Sequence, residues 1–426
     1  MTGVQTCALP IYRHAWSGAT EVGDHVVVEV AGPHGPYEVT ARYLLAADGA
    51  ASAVRRAAAI EMVGPRTIQS FLMIHIRADF TALVGNEPGV LFFVVDPASG
   101  GTFISHGRDR EWVYVHPWDP DREPIEAFDD ARCRAMVQAA LADPETPFDV
   151  VHASSWHMSA QIAERYRDGR TFLVGDAAHR FPPTGGLGLN TGVADAHSLV
   201  WKLAAVRHGW APTAILDTYE AERKPVAQFN CDQSLVNAFK LIEVPIAFGF
   251  TADVAESTAA LRATLADPER RAAATDAIAN QATHFDLLGL QLGHAYEGAL
   301  VIDDGTPPVV LAEPARDYEP LTRPGARLPH VWLADGRSTL DLVDPRVFTL
   351  LIREGEPLGT AVWPVPVAVV GCAGAVADAL DIGEGRCLLV RPDQHIALRG
   401  AADEAASALL RLLSPSSAAW QRGTAP

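Results

Sequence analysis

GRTFLVGDAAHRFPPTGGLGLNTGVADAHSLVWKL, residues Gly169 to Leu203, decides how this chain is read. An apolar run from Thr171 to Val174 ends in Gly175-Asp176, a Pro and Gly loop follows, and a helical pattern begins near Thr191. That order is strand, loop, helix, with an acid at the carboxyl end of the strand, where open α/β sheets hold ligands. The Asp176 carboxylate can accept hydrogen bonds from a sugar-like hydroxyl, and Gly185, Gly186 and Gly188 let backbone N–H groups approach a flat or charged ligand. Val193, Ala196, Leu199, Val200 and Leu203 recur at helical spacing, and Lys202, Arg207, His208 and Gly209 supply a basic end and a stop. The helix therefore aims its positive end back at the loop.

The ordered string GDAAH, PP, GG, GLN closely resembles the second FAD-binding motif of the single-component aromatic-ring flavoprotein hydroxylases. Tyr219, Glu220, Glu222, Arg223 and Pro225 in LDTYEAERKP continue the resemblance. Upstream, ARYLLAADGAASAVRR (Ala41 to Arg56) looks like the family's Asp-Gly motif, with Ala51 where a basic or larger polar residue is common. The resemblance implies FAD and NAD(P)H as cofactors, O2 and a phenolic or polyketide-like aromatic as substrates, and oxygen transfer from a flavin C4a-hydroperoxide. It implies that Gly175, Asp176, Gly186, Gly188, Leu189 and Asn190 contact FAD, with the Asp176 carboxylate on the ribose or ribityl chain. The free N–H groups of Leu189 and Asn190 would stabilise negative charge on reduced flavin, and Pro182-Pro183 would lie beside C4a. Asp48, Gly49 and Arg55 are the corresponding cofactor residues upstream.

The family opens with a strand, a GxGxxG turn and a helix whose amino end receives the FAD pyrophosphate. No such turn precedes Asp48. Met1 to Ile11, MTGVQTCALPI, back-translates from a GTG start to the string of a common sequencing-library adapter, so residues 1–11 are expected not to be protein-coding. On that reading roughly a hundred residues of an FAD-binding half are missing, judged from the size of that half. The chain as written would then be an inactive fragment, and a non-catalytic role or another flavin-binding oxidoreductase stays open beside the hydroxylase reading.

A chain of 426 residues, 48% hydrophobic, is long enough for two to three domains. Its net charge of −18 argues against nucleic acid or an anionic membrane as a partner. Cys7, Cys133, Cys231, Cys372 and Cys387 form no CxxC pair, which points to a reducing, cytoplasmic compartment. The uncharged run Gly359 to Ala377 contains Pro364 and Pro366, and reads as a buried strand and turn rather than a membrane helix. A homodimer is left open.

The expected fold class is α/β with an α+β substrate domain. An incomplete Rossmann-like FAD/NAD(P) domain spans 12–69 and 161–235. An antiparallel substrate sheet with a helical part spans 70–160 and 236–320. A thioredoxin-like unit without CxxC spans 321–426 and resembles that of the phenol and hydroxyphenylpropionate hydroxylases. Ala19 to Ala47 reads as a hairpin leading into a strand, and FLMIHIRADF, VLFFVVDP, TFISH and EWVYVHPW as strands with one buried face. Helices are expected over Asp130–Leu141, Asp217–Leu241 and Thr258–Ala282. His75, His106, His116 and His157 are candidates to face a phenol, since imidazole titrates near neutrality, although a strand histidine is more often satisfied locally. Phe93, Trp112 and Tyr114 are assigned to the sheet core, and His179 to a structural hydrogen bond. A metal-dependent hydrolase using Asp176, His179, Asp195 and His197 is the competing enzyme class, and it is disfavoured because Asp195 and His197 point from different helix faces.

Overall fold

The computed structural model describes residues 11–85, 89–357 and 362–414. The adapter reading of residues 1–10, and Gly359 to Ala361 of the uncharged run, lie outside the described residues; Ile11 is exposed. The chain opens with an antiparallel meander, β1 (Ala15–Val22), β2 (His25–Gly32) and β3 (Gly35–Ala41), so the expected hairpin gains a third strand. Gly23 and Gly35 take positive φ at its two tight turns, conformations that favour glycine. Next come β4 (Leu44–Ala46), α1 (Ala53–Ala57) and β5 (Met62–Val63).

The second unit is a five-stranded antiparallel sheet. It comprises β6 (Gln69–Arg77), β7 (Leu91–Val94) after the short helix α2 (Thr81–Val84), β8 (Gly101–Ser105), β9 (Glu111–Trp118) and, beyond α3 (Asp130–Leu141), β10 (Asp149–Met158), in the order β10-β6-β9-β8-β7. The alternation read from QSFLMIHIR is realised: Ser70, Leu72, Ile74 and Ile76 are buried while the residues between them are only partly covered. Leu72, Ile74, Ile76, Phe103, Trp112 and Tyr114 pack with Cys133, Val137 and Ala140 of α3. That helix starts where Asp129 caps Arg132 N–H at 2.8 Å. Trp112 and Tyr114 thus lie in the core as expected. Phe93 does not: it is 52% exposed on the other face of the edge strand β7, because the period of two turns it away from Phe92.

The chain returns to the first unit through β11 (Gln161–Ala163), β12 (Arg167–Asp168) and β13 (Thr171–Leu173). Strand β13 pairs parallel with β4, the crossover that brings the two sequence motifs side by side. After β14 (His179–Arg180) comes α4 (Leu187–Arg207), which begins four residues before the expected Thr191. Helix α5 (Thr218–Lys240) and α6 (Glu243–Ala247) follow. The expected helix over 258–282 is two helices, α7 (Val254–Ala266) and α8 (Pro268–Ala279). Asp267 ends the first in an extended conformation and caps the second, with Pro268 at a position that needs no N–H.

After α9 (Leu288–Leu292), the last unit holds β15 (Phe348–Arg353), β16 (Val367–Cys372), α10 (Gly374–Ala379), β17 (Arg386–Val390), β18 (Ile396–Ala401) and α11 (Ala405–Leu413). The sheet order is β16-β15-β17-β18, with β15 and β16 parallel and the rest antiparallel, the topology of a thioredoxin-like unit. Cys372 and Cys387 are free and buried as small hydrophobes, as their spacing implied. One core joins this unit to the first, with Phe348, Leu350, Leu389 and Leu409 packing into the same cluster as Phe172, Leu199, Trp201 and Ile215. Among the described residues no helix is long and apolar enough to cross a membrane.

Candidate active site

The loop between β13 and α4 is shaped by close backbone approach. Gly175 has φ +60°, and a Cβ built on Gly192 of α4 would come within 3.1 Å of the Gly175 Cα. Only glycine at both positions lets helix and loop touch this way. Asp176 follows on a single 3-10 turn. Its side chain is exposed and accepts no hydrogen bond among the described residues, although Arg180 lies close enough to interact electrostatically.

Pro182 is buried and Pro183 exposed, and Gly186 N–H returns to the Pro183 carbonyl at 3.0 Å. Gly186 then starts α4 in the left-handed region at φ +66°, with no side chain capping the helix. A Cβ at Gly186 or Gly188 would meet open space, and Leu189 and Asn190 are exposed. The first-turn N–H groups of a helix have no intrahelical partners, so this end offers donors and a positive potential to the outside. Asn190 Nδ2 donates to the Gly186 carbonyl at 3.1 Å and braces the turn.

The upstream motif reaches the same place. Asp48 accepts Val54 N–H at 3.2 Å, and although burial raises its carboxyl, the Ser52 hydroxyl and that N–H hold it below the usual range. Gly49 makes the turn at φ +78°. Arg55 is buried and donates to the carbonyls of Ala177 at 2.8 Å and Ala50 at 3.1 Å, so it ties the two motifs together through backbone. Arg180 also donates to the Ala50 carbonyl, and to Gln161 Oε1 at 3.1 Å, while its Nε is buried without a partner among the described residues. Arg55 is pushed down first by burial and then by the Arg180 and Arg56 cations, and Arg180 first by burial and then by Arg66. In a chain of net charge −18, this is a local concentration of positive charge.

Behind the loop lie residues the sequence weighed only as metal ligands of the disfavoured hydrolase or as part of the family resemblance. Asp195, fully buried on α4, accepts from Gly175 N–H at 3.3 Å, His179 Nε2 at 2.7 Å and Arg223 Nε at 2.8 Å. His179 is thereby structural, as expected, and stacks on Phe181 at 4.7 Å. His197 is exposed on the opposite side of α4. The neighbouring Glu222 binds instead to Lys202 at 2.6 Å and to Arg391 of the C-terminal unit at 2.6 and 2.8 Å. The i, i+4 spacing inside the apolar pattern of α4 carried no sign of these partners, because they come from another helix.

The face of the substrate sheet turned away from α3 carries Phe71, Met73 and Val115, with Phe71 and Trp156 stacked at 5.5 Å. Trp156 lies just before β11, whose Gln161 is bonded to Arg180, so this aromatic pair marks the end of the sheet nearest the loop. Among the candidate histidines, His157 pairs with Ser70 Oγ at 2.8 Å and His116 with the Gly100 carbonyl at 2.8 Å, both on the α3 side. His75 shares the open face with Trp156 but sits 3.5 Å from Glu111, toward the far end, and His106 is exposed beyond β8.

The residues fit FAD: among the described residues there is an exposed carboxylate without a hydrogen bond, a helix end without a side-chain cap and with room beside it, and a cluster of arginines with a buried Nε that has no partner. Comparison with known proteins agrees. Residues 13–234 match the profile described as FAD binding domain, and residues 321–416 that of the aromatic-ring hydroxylase C-terminal region. The chain is 32% identical over 419 residues to the 2,4-dichlorophenol 6-monooxygenase of Delftia acidovorans, covering 89% of this chain and 71% of that protein. It is 35% identical to an aklavinone 12-hydroxylase of Streptomyces purpurascens, covering 91% of this chain and 69% of the relative. The solved flavin-dependent monooxygenase PieE, in complex with FAD and substrate, superposes with a TM-score of 0.85 at 32% identity, over 94% of this chain and 75% of that one. The chain belongs to the FAD-dependent aromatic-ring hydroxylases.

Proposed function

We propose that the chain hydroxylates a phenolic, flat aromatic compound with FAD, NAD(P)H and O2 in the cytoplasm, and that the loop from Gly175 to Asn190 is its flavin site. The observation that carries this reading is the open amino end of α4 beside the unbonded Asp176 carboxylate, on a loop where Gly175 and Gly192 touch. Bound FAD supplies electron transfer from NAD(P)H and activation of O2. The residues of the chain bind, orient and keep water out. Asp176 accepts hydrogen bonds from the sugar-like chain of the cofactor, and the α4 N–H groups at Gly188, Leu189 and Asn190 stabilise negative charge on its ring. Pro182 and Pro183 wall the reacting edge without donating an N–H of their own. Asp48, Gly49 and Arg55 hold the facing turn, where the arginine cluster suits the phosphates of FAD or NAD(P)H.

The substrate lies against the open face of the antiparallel sheet, where Phe71 and Trp156 offer stacking surface close to the loop. The relatives' names, a dichlorophenol monooxygenase and an aklavinone hydroxylase, favour a ring already bearing a hydroxyl. Titrating the chain with FAD while following flavin fluorescence tests the reading. Saturable quenching that Asp176→Ala weakens supports it, and equal behaviour of the two proteins defeats it.

A further inference from the structure

We propose that Asp195 is the positioning residue of the flavin loop and that the C-terminal unit sets its geometry, through Tyr296 and Arg223 on one side and Arg391 and Glu222 on the other. The proposal rests on the reading of that loop as the flavin site.

One carboxylate grips the loop on both sides of Asp176. Asp195 Oδ2 accepts from Gly175 N–H at 3.3 Å, just before Asp176, and from His179 Nε2 at 2.7 Å, just after it. Its other oxygen accepts from Arg223 Nε at 2.8 Å. A buried ion pair is a poor device for stability alone, because desolvating both charges offsets most of their attraction and apolar residues of similar size often serve as well. What a hydrogen-bonded carboxylate adds is direction: it fixes where Gly175 N–H and the His179 ring sit, and so where the turn between them presents Asp176.

Arg223 is held in turn from the far side. Its Nη1 donates to the Tyr296 hydroxyl at 3.0 Å and its Nη2 to the Thr191 carbonyl at 3.4 Å. Tyr296 packs against His395 of the C-terminal unit with ring centroids 4.2 Å apart and planes tilted by 37°, and lies under the Arg391 guanidinium at 4.9 Å. Arg391 grips Glu222, the residue before Arg223, with two bonds, and Asp393 with two more. Consecutive residues of α5 therefore bind different partners, Arg223 the Asp195 carboxylate behind the flavin loop and Glu222 the Lys202 and Arg391 cations, and all of these side chains are buried. The C-terminal unit carries no CxxC to do chemistry. Its contribution to the reaction is the placement of Arg223.

Two variants of the full chain test this, Asp195→Asn and the milder Tyr296→Phe, which keeps the ring contact with His395 and removes only the hydroxyl. Hydrogen–deuterium exchange without FAD should show faster exchange in peptides spanning 174–182 in both, with β6 and β9 unchanged. FAD titration should show affinity reduced about tenfold for Asp195→Asn and less for Tyr296→Phe. If Asp195→Asn does not fold, Tyr296→Phe decides alone. Loop exchange equal to that of the unsubstituted chain, or a loosened loop with unaltered FAD affinity, overturns the proposal. If the unsubstituted chain binds no FAD, the functional reading falls, and the exchange data still decide whether Asp195 and Tyr296 hold the loop.

Discussion

Asp176 and Asp195 stand on the same strand-loop-helix segment, one exposed with no hydrogen bond to its carboxylate among the described residues, the other buried with three partners. Their substitutions should separate accordingly. Asp176→Ala removes no hydrogen bond among the described residues and only an exposed electrostatic interaction with Arg180, so its stability should stay within about 0.5 kcal/mol, while FAD affinity falls roughly tenfold for loss of bonds to a charged acceptor; thermal melting beside a flavin titration checks both. Gly192→Ala sets two effects against each other. Helix propensity alone favours alanine by about 1 kcal/mol, but its Cβ would stand 3.1 Å from a Gly175 Cα pinned by the Asp195 bond, so the loop must give. We expect weaker FAD binding with little change in melting temperature; a variant binding FAD as tightly as the parent would show that the close approach is incidental. Asp176 was legible in the sequence because it sits inside a contiguous motif. The role of Asp195 was not, because its partner Arg223 lies on α5 and sequence spacing does not report contacts between helices.

At the scale of elements, the strands with clean alternation and the capped helix Asp130–Leu141 were readable from local chemistry alone. Strand β10 was not. Its sequence DVVHASSWHM is mostly polar or small, and an irregularity between Val150 and His152 shifts the register by one and breaks the period of two. The start of α4 was placed late because glycines at 186, 188 and 192 mask a helix whose amino end must stay open. Since β10 supplies Trp156, that missed strand hid half of the aromatic pair on the open face. Trp156→Ala should raise the KM for the aromatic substrate severalfold, by roughly the 1 kcal/mol of a lost aromatic pair, and leave FAD affinity alone. A fall in FAD affinity with unchanged KM would remove Trp156 from the substrate side.

Across the whole molecule, the first and last units share an apolar core and, within it, the charges of Lys202, Glu222, Arg391 and Asp393. The sequence announced two units but not their union, since residues about 170 apart in the chain meet only through tertiary packing. Arg391→Met leaves Glu222 and Asp393 buried without their main counter-charge, and should cost about 3 to 5 kcal/mol in denaturant unfolding. Burial raises both carboxyls, yet the Arg391 cation, aided at Glu222 by Lys202, outweighs it and holds them below their ordinary values of 4.5 and 3.8. With folded values depressed, their contribution is fully present above pH 4.5 and is lost as pH falls through the folded values, where the unfolded chain binds more protons. Melting temperature should therefore drop on acidification below that point, and less steeply in Glu222→Gln than in the parent; parallel pH profiles would contradict this origin.

Oxygen transfer to an aromatic ring is proposed to take place at the loop from Gly175 to Asn190. The most direct test is to supply the chain with FAD, NAD(P)H and a panel of phenols and hydroxylated polycyclic aromatics under 18O2, and to measure product mass. The expected product is an aromatic compound carrying one 18O atom, formed in step with NAD(P)H oxidation and in smaller yield with Asp176→Ala. FAD bound at this loop, with NAD(P)H consumed but no labelled aromatic across the panel, would contradict it.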